Sequence, residues 1–330
     1  MKKHFKTNVI GILFSVIVLL LFSYTKLKTT NKQNGPIKKA ELLYQVRAQL
    51  GEGACWDAIH NRLFWVDIEG KELHIFDPKT RIDKLIAMPL RIGTVVPVSE
   101  NEVLAALEDG IYLVDLNSKK LELFSDIEAT ITENRFNDGK CDPSGNLWVG
   151  SMHLNQEQGK AKLYKIDGLG NATAMIDQVT ISNGIVWTSD KKTMYYIDTP
   201  TKQIKAYDFD MNTQTISNER VAVEVPEELG FPDGMTIDEN DHLWVGMWNG
   251  NAVLCFDPKT GEVVDKIEVP AHNVTSCAFG GENLDILYIT TASLDMTDQE
   301  KKAFPLAGSL FMVKPGVKGV KSNYFKRTDH

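Results

Sequence analysis

The sequence predicts an all-β fold, a six-bladed β-propeller preceded by a single N-terminal hydrophobic anchor helix. Two observations predict the propeller. A strand–turn–strand pattern recurs through the chain, with an aromatic residue in its first strand and aspartates at its end. A short landmark precedes each copy, and in most copies it is a polar or small residue followed by glycine. The copies are about 40 to 50 residues apart, which is the spacing of propeller blades built from four short strands.

The anchor is predicted from residues 1–26. Lys2, Lys3 and Lys6 precede an apolar run over 9–24, and a charged segment followed by an apolar one is typical of an export signal. The run of about 16 residues is short for a full membrane span, yet no small-residue cleavage site follows it. We expect an uncleaved signal-anchor, with a cleaved signal peptide as the alternative.

This reading sets the domain organisation and the location. Residues 27–40 are polar and predict a linker, and residues 41–330 hold the propeller. We therefore expect an extracytoplasmic protein, periplasmic or at the cell surface, that meets the membrane only through its anchor.

Composition excludes some functions. The chain has 330 residues, 43% hydrophobic, with a net charge of −8, so it can form a sizeable core and a nucleic-acid partner is not expected. We expect a monomer. The four cysteines lie in separate apolar runs without a C-x-x-C pair, which predicts small buried residues, although an exported chain permits disulfides.

The six strand–turn–strand copies order the fold along the chain. They cover residues 63–80, 104–118, 147–167, 194–213, 243–260 and 287–316. Turn sequences such as "DPSGN" and "DENDH" join the strands. We expect 42–50 to supply a strand that closes the ring with the last blade, because an open sheet edge is a liability.

The landmarks begin the innermost strands, which surround the central channel. They are Glu52-Gly53, Ile92-Gly93, Asp138-Gly139, Asn183-Gly184, Asp233-Gly234 and Thr275-Ser276. Glycine allows backbones to approach closely at this narrow radius. The side chains before the glycines, among them Glu52, Asp138, Asn183 and Asp233, should therefore meet at one channel mouth.

Three carboxylates and an amide at one mouth indicate a divalent cation, because the carboxylates repel one another without one. Oxygen ligands suit Ca, Mg or Mn, and Zn also accepts them. The alternative is that these side chains only cap turns. Serine-hydrolase and nucleotide-binding motifs are absent from the sequence.

Several motifs resemble one known family. "LGEGACWD", "NRFNDGKCDPSGNLWVGSM", "ISNGIVW", "PDGMTID" and "TSCAFGG" stand in the order found in the regucalcin/gluconolactonase (senescence marker protein) family, and the resemblance covers about 42–325. It implies a six-bladed propeller with one divalent metal in the channel and, in its enzymes, hydrolysis of sugar lactones.

The resemblance also implies the metal site. Glu52 of "GE", Asn183 of "SNG" and Asp233 of "PDG" match the metal ligands. Asp233 would also be the catalytic base that takes a proton from the attacking water. A hydroxide carried by the cation is the alternative base, because a bound cation lowers the basicity of a carboxylate.

Substrate contacts follow from the same resemblance. Arg135 and Asn137 of "RFNDG" match residues that meet substrate oxygens, whereas the repeat phase alone selects Asp138. We expect Asn137 at the substrate and Asp138 in the turn. Asn155 stands where animal regucalcins carry an acidic residue that helps to hold the sugar, so the sugar preference should differ.

The sequence therefore predicts a metal-dependent hydrolase that opens a sugar lactone to the aldonic acid. Two alternatives stay open. One is a hydrolase of other esters or organophosphates on the same scaffold, and the other is a non-enzymatic propeller that binds calcium or a partner.

Overall fold

A computed structural model of the protein describes residues 38–328, and it confirms the six-bladed β-propeller. Six separate sheets each contain the four antiparallel strands of one blade, and the sheet of blade 5 has a fifth, parallel strand at its outer edge. Their innermost strands contact one another in a closed ring around the channel. The anchor prediction for residues 1–26 lies outside the described residues.

Each blade runs outward from an inner strand. The inner strands of blades 1 to 6 are β3 (Gly51–Asp57), β7 (Ile92–Pro97), β11 (Asn134–Cys141), β15 (Ser182–Trp187), β19 (Phe231–Ile237) and β23 (Asn273–Gly280). Blade 1 continues with β4 (Arg62–Asp67), β5 (Glu72–Asp77) and β6 (Ile82–Ala87). Blade 2 continues with β8 (Glu102–Leu107), β9 (Gly110–Asp115) and β10 (Leu121–Ser125). Blade 3 continues with β12 (Leu147–His153), β13 (Ala161–Ile166) and β14 (Ala172–Val179). Blade 4 continues with β16 (Thr193–Asp198), β17 (Gln203–Asp210) and β18 (Thr215–Glu224). Blade 5 continues with β20 (Leu243–Trp248), β21 (Ala252–Asp257) and β22 (Glu262–Glu268). Blade 6 continues with β24 (Ile286–Ala292) and β25 (Leu310–Val313).

The N-terminal side of the described chain closes the ring, as predicted. Strand β2 (Glu41–Tyr44) pairs antiparallel with β25 and becomes the outer strand of blade 6. A two-residue strand, β1 (Lys38–Lys39), also pairs with β22 of blade 5. The Nζ of Lys38 lies 2.5 Å from Asp265 Oδ2, which adds an ion pair to this pairing.

Large apolar side chains fill the blades and the spaces between them. Trp65, Trp148 and Trp244 are fully buried, which confirms that they are core residues. All four cysteines are free and buried, as the sequence predicted. Burial of such side chains supplies most of the favourable free energy of folding.

A β-bulge interrupts the pairing of each inner strand at the landmark. The register shifts at Glu52/Cys55, Ile92/Thr94, Phe136/Gly139, Ser182/Ile185, Pro232/Met235 and Val274/Cys277. A bulge leaves residues unpaired and redirects their side chains. The sequence pattern located these positions without revealing the bulges.

The landmark glycines have the predicted packing role. A Cβ added to Gly93 would lie 2.4 Å from the carbonyl oxygen of Phe136, and one added to Gly184 would lie 2.6 Å from Met235 Cγ. Such distances are far inside van der Waals contact, so neighbouring inner strands approach this closely only because glycine stands there.

Little of the described chain is helical. The α-helix α1 (Asp298–Ala303) lies between β24 and β25, and two 3-10 turns cover Thr199–Thr201 and Glu227–Leu229. Within residues 38–328, no helix is both long and apolar enough to cross a membrane.

A C-terminal strap, residues 315–328, crosses the channel mouth at which the inner strands end. Backbone N–H groups of the strap donate to carbonyl oxygens of Pro97 and Gly145, at 2.9 Å in both cases. The Tyr324 hydroxyl donates to Asp57 of blade 1, and Phe325 is buried in the cluster formed by blades 2 and 3. The sequence analysis did not anticipate this strap.

Candidate functional site

An open cavity of about 360 Å³ lies at the mouth where the inner strands begin. Its floor carries five buried polar side chains, which come from four blades: Glu52, Arg135, Asn137, Asn183 and Asp233. Each occupies one of the first four positions of its inner strand. The structure thus brings together the three predicted metal ligands and two of the predicted substrate contacts.

The bulges explain why Asn137, rather than Asp138, lines this cavity. In blades 4 and 5 the first unpaired residues are Asn183 and Asp233, and both line it. In blade 3 the first unpaired residue is Asn137, and Asp138 is the second. Asp138 is not among the residues that line the cavity, and its Oδ1 accepts from Gly139 N at 2.7 Å.

A chain of hydrogen bonds fixes the floor. Arg135 Nη1 donates to Asn137 Oδ1 at 2.6 Å, and Asn137 Nδ2 donates to Asn183 Oδ1 at 3.1 Å. Asn183 Nδ2 donates to Thr199 Oγ1 at 2.8 Å, and that hydroxyl donates to the carbonyl oxygen of Pro232 at 2.8 Å. The chain joins blades 3, 4 and 5 and ends at the residue before Asp233.

The floor brings carboxyl groups together in a buried environment, which disfavours their charged forms. Burial, followed by the nearby Asp138 carboxylate, raises the pKa of Glu52 to about 8. Burial, Glu52 and Asp138 together raise the pKa of Asp233 well above its usual range. Burial also lowers the pKa of Arg135 to about 10, so the guanidinium still carries its charge at neutral pH.

These groups fit a hard divalent cation. Glu52, Asn183 and Asp233 offer only oxygen atoms, which such cations prefer. Within residues 38–328, Asp233 Oδ1 is buried without a hydrogen-bond partner, and a buried unpaired carboxylate oxygen is costly. The Oδ1 of Asn183 accepts one hydrogen bond and keeps a second lone pair.

A second group of ligand-type atoms lies elsewhere, in blade 5. Asp238, His242 and Cys255 place one such atom each within 4.8 Å of the others. However, Asp238 Oδ2 accepts from Trp244 Nε1 at 3.0 Å and its Oδ1 accepts backbone N–H groups of the turn. Asp142 holds the equivalent indole of blade 3 in the same way at 2.9 Å, so a structural role accounts for Asp238.

Asn155 differs in placement from the other predicted site residues. It is exposed in the loop after β12, whereas the next residue, Gln156, lines the cavity. Its backbone N–H donates to His153 Nδ1 at 3.2 Å.

Thr199, which follows directly after β16, was not among the predicted site residues. The sequence analysis also missed the apolar residues of the cavity wall, including Phe231, Trp248 and Leu294. Their hydrophobicity is indistinguishable from that of core residues in the sequence alone.

The fold and site define a class: six-bladed propellers whose channel mouth gathers buried carboxylate and amide oxygens beside an arginine. The model of the SMP-30/gluconolactonase/LRE-like region matches residues 50–293. The chain belongs to this family.

Known proteins support this assignment. The chain is 42% identical over 272 residues to the Bacillus subtilis (strain 168) protein named "Putative sugar lactone lactonase YvrE", covering 82% of this chain and 93% of the relative. It is 31% identical over 293 residues to regucalcin of Xenopus laevis, covering 87% and 98%. The crystal structure of a calcium-binding protein, regucalcin, from Agrobacterium tumefaciens superimposes with a TM-score of 0.84 at 27% identity, covering 88% of this chain and 99% of that one.

Proposed function

We propose that the protein is a divalent-metal-dependent lactonase that opens a lactone ring, in the first place that of a sugar lactone, to the hydroxy acid. One observation carries the proposal: Glu52 and Asp233, two carboxyl groups whose pKa values are both raised by burial, share a cavity floor with Asn183, Arg135 and Asn137. The relative named as a sugar lactone lactonase supports the reaction class, and the calcium-binding structural relative supports a metal.

Glu52, Asn183 and Asp233 would hold the cation. When bound, it would supply Lewis-acid polarisation of the ester carbonyl and would neutralise the floor. Calcium, zinc, magnesium and manganese all accept such oxygen ligands, and we leave the native metal to experiment.

The side chains of the protein would carry the remaining steps. The Asp233 carboxylate would accept a proton from the water that attacks the carbonyl carbon. The Arg135 guanidinium would stabilise negative charge on the carbonyl oxygen, and it is held in place by its bond to Asn137. When the ring C–O bond breaks, the proton on Asp233 would pass to the ring oxygen, which becomes the hydroxyl of the product.

A lactone assay tests this assignment. The full-length protein is assayed with aldonolactones by a pH indicator, before and after EDTA treatment and after adding back each metal. We expect hydrolysis that EDTA abolishes and metal restores. Aryl esters and organophosphates in the same panel distinguish the alternative hydrolase activity.

Two Asp→Asn variants test the base. Asp233→Asn is expected to lower kcat by about 10²–10⁴-fold, whereas Asp177→Asn, an exposed residue outside the cavity, keeps wild-type turnover. Bound metal is measured by elemental analysis in each protein. Near wild-type turnover in Asp233→Asn with metal still bound would show that Asp233 is not the base.

We also propose an extracytoplasmic location through the N-terminal signal-anchor. The basis is the charged segment and the apolar run of residues 2–24. Protease added to intact spheroplasts should then digest the wild-type propeller. Leu19→Arg places a charge in the run and should leave the protein inside the cells, protected from protease; protection of the wild type would refute the location.

A further inference from the structure

The residues that line the cavity fall into three groups. The polar floor is buried, with exposed fractions of 4–7%. The apolar residues, called the collar below, are either as buried as the floor (Leu50 and Met152) or half-buried (Ile181, Phe231, Trp248 and Leu294). The outermost lining residues, Gln156, Pro200, Asn249 and Asp295, are exposed.

The collar is a connected surface over part of the mouth. Leu50, Trp248 and Leu294 pack in one hydrophobic cluster, and Phe231 lies directly opposite Trp248 in the register of β19 and β20. A molecule whose carbonyl reaches the floor therefore passes between aliphatic and aromatic side chains.

Asn137 on the floor has little hydrogen-bonding capacity left for sugar hydroxyls. Asn137 Oδ1 accepts from Arg135 at 2.6 Å, and its Nδ2 donates to the Ser182 carbonyl at 2.7 Å and to Asn183 Oδ1 at 3.1 Å. A site that recognises several hydroxyl groups needs free donors and acceptors along its wall, and at the level of the collar the wall is apolar.

We propose that the preferred substrate is a lactone with an apolar substituent, an alkyl or aryl group on the ring, in place of the hydroxylated side chain of an aldonolactone. This rests on the proposed lactonase function and replaces the sugar lactone with an apolar lactone as the best substrate of the same site. The lactone carbonyl would meet Arg135 and the carboxylate floor, and the substituent would lie against the collar, where its burial is favourable.

The test is a homologous series. Values of kcat/KM are measured for γ-valerolactone, γ-hexalactone and γ-octalactone, with glucono-δ-lactone alongside. Each added methylene that the collar buries is expected to raise kcat/KM about three- to fourfold, and γ-octalactone is expected to exceed glucono-δ-lactone. A flat or falling series among hydrolysed lactones, or a clear preference for glucono-δ-lactone, overturns the inference and leaves the proposed function intact.

Binding of non-hydrolysable analogues separates the inference from the catalytic proposal. The affinities of 5-methyl-, 5-ethyl- and 5-butyl-2-pyrrolidinone are measured by calorimetry on the metal-loaded protein. A rise in affinity with chain length supports binding of the substituent by the collar, even if no lactone is hydrolysed. Absence of lactone hydrolysis would refute only the proposed lactonase function. Equal affinities overturn the collar.

A matched pair of variants assigns the effect to the collar. Leu294→Asn makes one collar residue polar and should reduce the γ-octalactone to γ-valerolactone ratio of kcat/KM severalfold. Leu169→Asn makes the same change at a residue that is 46% exposed and outside the cavity, and it should leave the ratio unchanged. The proposal is contradicted if Leu294→Asn leaves the ratio unchanged, and also if both variants reduce the ratio equally.

Discussion

Replacing Thr199 with valine is expected to weaken divalent-metal binding while the propeller stays folded. Valine keeps the shape of threonine but loses the hydroxyl that accepts from Asn183 Nδ2 at 2.8 Å and donates to the Pro232 carbonyl at 2.8 Å. The Asn183 amide is then free to rotate away from the floor, and a buried carbonyl oxygen loses its donor at a cost of about 1–3 kcal/mol in stability.

The expected loss of metal affinity is about 10- to 100-fold, the range seen when a group that orients a metal ligand is removed. Calorimetric titration of EDTA-stripped protein with Ca²⁺ and Mn²⁺ measures it. Thr199→Ser keeps the hydroxyl and should restore most of the affinity.

The matched control is Thr201→Val. Thr201 lies in the same 3-10 turn, but its hydroxyl donates to the Asp198 carbonyl at 2.7 Å and contacts none of the predicted ligands. If Thr199→Val and Thr201→Val bind metal equally well, Thr199 does not position Asn183 and the reasoning is refuted.

Four further outcomes are expected. Metal-free protein should lose stability as pH rises from about 4.5 to 8, because folded Glu52 keeps its proton up to a pKa of about 8 while the unfolded chain has released it. Thermal melts should therefore show that the melting temperature falls less steeply with pH in Glu52→Gln than in wild type. Asp138→Asn removes a repelling charge, so metal binding measured against pH should persist to lower pH than in wild type. Phe325→Ala should cost about 3–5 kcal/mol in urea unfolding, because the ring is only 3% exposed; a smaller loss than 1 kcal/mol would mean that the strap contributes little. Gly93→Ala, which forces a Cβ onto the Phe136 carbonyl, should lower the melting temperature clearly, and an unchanged value would show that the strands can separate there.

The propeller architecture could be predicted from the sequence because its repeated unit is visible as a repeated sequence pattern. The same aromatic strand and the same landmark return blade after blade, and each landmark glycine marks a place where strands crowd. The strand that closes blade 6 was also predictable, because β2 follows the expected rule that a propeller leaves no open edge.

The details of the site were harder to predict because they depend on local backbone geometry. The position before glycine selects Asp138, yet the bulge between Phe136 and Gly139 turns Asn137 into the cavity. Thr199 contacts Asn183 because a 3-10 turn places it there, and the local sequence does not predict this turn. Contacts between distant segments, such as Tyr324 with Asp57, leave no periodic trace.

The strap also bears on how the chain is made. Strand β2 needs β25 as its partner, and the cluster between blades 2 and 3 needs Phe325. About 265 residues are translated between β2 and β25, and about 160 to 230 between the members of the cluster and Phe325. A nascent chain with three finished blades therefore still exposes an apolar seam and an unpaired edge, and such surfaces are prone to aggregation. Folding of this ring is completed late in synthesis, when its closing segments leave the ribosome.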